Sequence, residues 1–192
     1  MGKDRLAAFS DGVIAIIITI MVLELKLPHG DDWATLQGLR PHFLSYVLSF
    51  IYLGIYWNNH HHMLHTVTRV DGLILWANSH LLFWLSLIPA ATAWLGDNYP
   101  APVPTAVYGV ALLMPAIAYV LLQSAIVHKQ GERSVLARAL GSDIKGKISP
   151  LLYIAGIGLA FVSPLVSIAL YVLVAAIWLV PDRRIERAIG ES

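Results

Sequence analysis

Residues Phe9-Ser10-Asp11-Gly12-Val13-Ile14-Ala15-Ile16-Ile17 decide how this chain reads, because they set a carboxylate at the start of an otherwise apolar run. From Leu6 to Leu25 that run supplies about 20 mostly apolar residues, the length that crosses a bilayer core. An Asp at the centre of an inserted helix costs about 2.5–3.5 kcal/mol, so a carboxylate placed there calls for a partner. The run is too charged at its start, and lacks the small-residue cleavage site, to be a secretory signal peptide.

Composition points the same way. Hydrophobic residues make up 57% of the 192 and charged residues 13%, with a mean hydropathy of +0.67, whereas a soluble domain carries roughly 25% charged residues. The net charge of +1 says little about partners; the placement of the charges matters more. With no cysteine there is neither a disulfide framework nor thiolate chemistry. Residues 1–192 read as one domain of six spans: Leu6 to Leu25, Phe43 to Leu64, Gly72 to Leu95, Val103 to Val127, Ile148 to Val162 and Pro164 to Val180. Ser163-Pro164 divides the last two, since proline lacks the amide that would continue a helix. One kinked helix is the alternative, but the stretch is too long for a single crossing at ~1.5 Å per residue.

If the amino terminus is cytoplasmic, that side carries Lys3, Arg5, Arg69, Lys129, Arg133, Arg138, Lys145, Lys147, Arg183, Arg184 and Arg187, against Lys26 and Arg40 on the other. This bias puts both termini in the cytoplasm of a multi-pass integral membrane protein. The polar connections from Pro28 to Pro41 and from His128 to Lys147 leave room for short helices over Asp32 to Leu39 and Ser134 to Leu140.

At roughly 100° per residue, Phe9, Gly12, Ile16, Thr19, Ile20 and Leu23 share one arc of the first helix, while Ser10 and Asp11 point elsewhere. Taken alone, such a stripe describes packing against a neighbouring helix or lipid as well as it describes a pore. The second polar feature is Trp57-Asn58-Asn59-His60-His61-His62-Met63-Leu64-His65. Its imidazoles raise a metal reading, and His61 and His65 have the i, i+4 spacing of two ligands on one helix face. The motif holds no carboxylate or thiolate to serve as a third ligand, so no metal is expected; one or two histidines turn inward to buried polar groups and the others meet water. Asp11, Ser10, Arg5, Arg69, Asp71, Asn78 and His80 fall in the same leaflet. A buried carboxylate is tolerable only when paired and hydrogen-bonded, so a network joining Asp11 to an imidazole, an arginine or an amide is expected. Its structural version is glue between helices. No phosphate loop, nucleophile elbow, HExxH or basic aromatic stripe is present, which argues against an enzyme and against nucleic acid as a partner.

The segment Arg5-Leu-Ala-Ala-Phe9-Ser10-Asp11-Gly12-Val13-Ile14-Ala15-Ile16, with Thr19 and Leu23, resembles the RxxxFSD signature of the transmembrane protein 175 family, prokaryotic relatives of the lysosomal potassium channel. Trp57, His60 and His61, then Arg69, Asp71, Asn78 and Pro89, are similar to that family's second and third helices. From the fourth span onward only hydropathy and length agree.

The resemblance implies an all-α homotetramer of six-helix subunits in a prokaryotic plasma membrane, with the first helix of each subunit lining a central pore. Neither a re-entrant filter loop nor the Thr-Val-Gly-Tyr-Gly carbonyl filter is present. One FSD motif per chain means that four copies surround the pore. By distance from Asp11 the family's hydrophobic constriction falls on Ile16, Ile20 and Leu23, with Thr19 as the hydroxyl layer. The resemblance also places Arg5, Phe9, Ser10, Asp11, Trp57, His60, Asp71 and Asn78 in a packing network, although the helical arc sets Arg5 near the pore face. The implied activity is modestly potassium-selective conduction of monovalent cations, with no cofactor beyond the permeant ions. A secondary transporter, a proton pathway and a non-conducting membrane scaffold are the alternatives.

Overall fold

A computed structural model describes residues 2–25, 32–131, 134–140 and 144–179, and every regular element among them is a helix. In order these are α1 (Lys3–Leu23), α2 (Trp33–Gly38), α3 (Arg40–His65), α4 (Gly72–Ser86), α5 (Ile88–Asp97), α6 (Pro102–Gln130), α7 (Val135–Leu140), α8 (Ile144–Leu159) and α9 (Pro164–Leu179). The short expected helices correspond to α2 and α7. Lys26, Arg133, Arg183, Arg184 and Arg187, which entered the charge argument, and Val180, the expected end of the last span, lie outside the described residues.

Local chemistry sets the boundaries. The Asp32 carboxylate accepts from the Thr35 amide at 2.7 Å and starts α2, and Asp71 starts α4 by accepting from the Ile74 amide at 3.0 Å. Both side chains satisfy amides that have no partner within the helix. Pro102 opens α6, and Gly131 closes it with φ of 87°, a left-handed conformation that costs glycine nothing. The third expected span keeps its place as the stretch Gly72–Asp97, but its helix is interrupted at Leu87, which divides it into α4 and α5. Pro89 in the first turn of α5 has no amide to donate backward, so the ladder of α4 cannot run through it. α8 and α9 are separate helices of 16 residues each.

Three helical stretches, Lys3–Leu23, Gly72–Asp97 and Pro102–Gln130, are long and apolar enough to cross a membrane. α3 spans 26 residues but includes the polar run from Asn58 to His62.

Two buried clusters hold the bundle together, and α3 and α6 contribute to both. The first joins α1, α3, α4 and α6 around Leu6, Ile14, Ile17, Leu53, Leu81 and Leu122. The second joins α3, α5, α6, α8 and α9 around Tyr52, Tyr108, Tyr153 and Tyr171. Each of these rings buries a large apolar area and needs a partner for its hydroxyl. Tyr52 donates to the Tyr171 carbonyl and Tyr171 to the Thr105 carbonyl. The Tyr108 hydroxyl lies 2.9 Å from Ser49 Oγ, which lies 2.7 Å from Thr92 Oγ1. Gly109 and Gly156 make room for the Tyr171 ring, which a methyl group on either would overlap.

Candidate functional site

α1 has two unlike faces. Leu6, Ser10, Ile14, Ile17 and Met21 recur every three or four residues and are buried against the neighbouring helices. Phe9, Gly12, Ile16, Thr19, Ile20 and Leu23, the arc expected from helical periodicity, all lie at the surface of the protomer. Ile16 is 58% exposed and Leu23 78%, so the helix leaves an apolar stripe bare where a soluble protein would cover it. Within that stripe, Thr19 Oγ1 donates to the Ile16 carbonyl at 2.8 Å. The hydroxyl hydrogen is thereby held on the helix, and the oxygen lone pairs remain to face outward.

The buried face is anchored by a chain of polar groups. Asn78 Oδ1 lies 2.7 Å from His60 Nε2, and since an amide oxygen only accepts, the imidazole carries its hydrogen on Nε2. Asn78 Nδ2 donates to Ser10 Oγ at 3.0 Å, and Ser10 donates in turn to the Leu6 carbonyl at 2.9 Å. His60, Asn78 and Ser10 are all fully buried or within 1% of it. Every link hands its hydrogen to the next, from α3 through α4 to α1, so the chain fixes the position and rotation of α1 without leaving these buried donors orphaned.

Asp11 pairs with another member of the expected network, Trp57. Trp57 Nε1 donates to the Asp11 carboxylate at 3.0 Å, in a partly exposed position; an indole replaces the imidazole, arginine or amide expected from sequence. The other proposed members of the network are placed differently. Arg5 and Phe9 are exposed on α1, and no hydrogen bond joins them to Ser10, Asp11, His60 or Asn78 among the described residues. Asp71 serves the start of α4 and pairs with Lys129 at 2.9 Å. The Ile74 amide, and after it Lys129, hold its carboxyl below the usual carboxylate range. His80 accepts from Trp84 on its own helix.

Sequence reasoning missed the pairing of His42 with Asp97 at 2.8 Å, which ties the start of α3 to the end of α5. The residues lie 55 positions apart, and no local pattern links them. Among the described residues, no three His, Asp or Glu side chains gather as metal ligands.

The family model described as Endosomal/lysosomal potassium channel TMEM175 matches residues 5–89, from the start of α1 to the first turn of α5. A potassium channel of Chryseobacterium sp. (strain P1-3) is 56% identical over 192 residues, covering the whole of both chains. A potassium channel of Streptomyces collinus is 33% identical over 184 residues, covering 90% of this chain and 89% of that one. Among solved structures, the crystal structure of a lysosomal potassium-selective channel TMEM175 homolog from Chamaesiphon minutus superposes with a TM-score of 0.81 at 28% identity, covering 94% of this chain and 97% of that one.

Proposed function

The chain is a prokaryotic member of the TMEM175 family, and from that membership we propose that it is a potassium-selective cation channel built as a homotetramer around a central pore. Four copies of α1 surround the pore, six spans per subunit anchor it, and both termini are cytoplasmic. The observation that carries this reading is the bare stripe on α1. Ile16, Thr19, Ile20 and Leu23 are exposed in the protomer while the opposite face is fixed by packing and by the Ser10–Asn78–His60 chain. The names of the Chryseobacterium and Streptomyces relatives support potassium as the permeant ion.

The proposed mechanism follows from the lining. Rings of Ile16, Ile20 and Leu23 form a hydrophobic constriction, and such a constriction gates by expelling water, which leaves an ion without ligands. When it widens, an ion crosses with part of its hydration shell removed. Potassium holds water less tightly than sodium and loses less on entry, so the pore favours it modestly without a carbonyl cage. The Thr19 hydroxyls, with hydrogens held on the Ile16 carbonyls, turn lone pairs to the ion as weak ligands that still release it.

The test is flux from potassium-loaded liposomes under potassium and sodium gradients, with Ile16→Asn and Thr19→Val alongside the wild type. A potassium-favouring leak is expected, several-fold larger in Ile16→Asn and less selective in Thr19→Val. No flux from any of the three proteins would point to a scaffold. Flux that saturates with substrate would point to a transporter, and a reversal potential that follows the pH gradient to a proton pathway.

A further inference from the structure

The last turn of α3 carries an imidazole pair that the anchoring network does not use. His61 and His65 are exposed, stand one turn apart, and bring their Nε2 atoms to 3.1 Å of each other. Their ring centroids lie 4.5 Å apart at 69°. We propose that His61 and His65 form a binding site for a divalent transition-metal ion of the zinc, nickel or copper kind.

The bite of the pair supports this. Zinc holds imidazole nitrogens at about 2.0–2.1 Å, so two on one ion stand about 2.9 Å apart at a right angle and about 3.4 Å apart at the tetrahedral angle. The observed 3.1 Å falls between those limits. In the metal-free pair one Nε2 carries a hydrogen and the other accepts it. On binding, that proton moves to Nδ1 of the same ring, both Nε2 lone pairs turn to the ion, and no proton is lost overall.

Imidazole nitrogen selects borderline ions and gives little to potassium, calcium or magnesium, which prefer oxygen. The missing third side chain argues against a closed structural or catalytic zinc centre, but not against an open site that water completes. The site lies one turn beyond Trp57, whose ring stands 6.1 Å from that of His61 and whose indole holds Asp11. An ion there therefore braces the turn of α3 that follows the one reaching α1. This proposal does not depend on conduction, since binding is measured without a current.

The test is isothermal titration calorimetry of tag-free purified protein with zinc chloride and with nickel chloride at pH 8, and with magnesium chloride for comparison. Saturable binding of zinc and nickel at one ion per chain is expected, with no magnesium signal. Affinity is expected to fall by roughly tenfold or more, the equivalent of losing about 1.4 kcal/mol, in His61→Gln and in His65→Gln, and to stay unchanged in His62→Gln. Circular dichroism checks that each variant is folded. Absence of saturable binding in the wild type overturns the site, and so does retained affinity in either His61→Gln or His65→Gln.

Discussion

The packed interior of this bundle and the bare face of α1 follow opposite rules. Inside, a buried chain of polar groups is satisfied link by link: His60 gives to Asn78, Asn78 to Ser10, and Ser10 to the Leu6 carbonyl. The tyrosine core is filled closely enough that Gly109 and Gly156 cannot accept a methyl group. On the outer face of the same α1, isoleucines and leucine stand exposed beside a single hydroxyl. One helix thus carries two separable tasks, and changes to the interior should alter stability while changes to the bare face alter permeation.

Asn78→Leu should break this separation most severely if it is wrong. It leaves the buried His60 N–H without an acceptor and removes the donor to Ser10, at a cost of about 3 kcal/mol. The midpoint of thermal unfolding in detergent should drop by several degrees, while the potassium-to-sodium flux ratio of protein that still assembles stays at the wild-type value. A changed ratio with an unchanged midpoint would show that the network shapes the pore directly. Gly109→Ala should cost about 2 kcal/mol by forcing the Tyr171 ring aside, again visible in the unfolding midpoint and silent in selectivity.

The smallest effect concerns the rim. Asp71 has its carboxyl lowered in the folded state, so its contribution to stability is fully present above its ordinary value of 3.8 and is lost as pH falls through the lower folded value. Asp71→Asn should therefore shift the unfolding midpoint slightly at neutral pH and flatten its dependence at the acid end. A pH profile identical to the wild type's would remove the Ile74 amide and Lys129 from the account of that turn.

The two regions were not equally legible in the sequence. The bare stripe could be read from period alone, because residues on one helix face are fixed by about 100° per residue whatever the helix packs against. Ser10, His60 and Asn78 could be nominated as polar residues of one leaflet, but their order could not be read. Asn78 meets Ser10 across 68 positions and His60 across 18, and only the tertiary packing that brings α1, α3 and α4 together puts its two amide atoms in line. Trp57, 46 residues from Asp11, can be grouped with it from the sequence, but the pattern does not reveal that its indole N–H is the donor to the carboxylate. The break between α4 and α5 did carry a local signal in Pro89, which the hydropathy of the surrounding run obscured. The tyrosine core was illegible: hydroxyls on Tyr52, Tyr108 and Tyr171 take partners from other helices, which no local spacing encodes.

The chain contains no cysteine, so single cysteines on α1 report on its two faces without a background. The decisive measurement is potassium flux from liposomes before and after a water-soluble, charged thiol reagent, in Ile16→Cys and Thr19→Cys against Ile14→Cys and Ile17→Cys. The account predicts that the reagent suppresses flux in the first pair and leaves the second pair unchanged. Suppression confined to the second pair, or equal in all four, would contradict the assignment of the bare face of α1 to the pore.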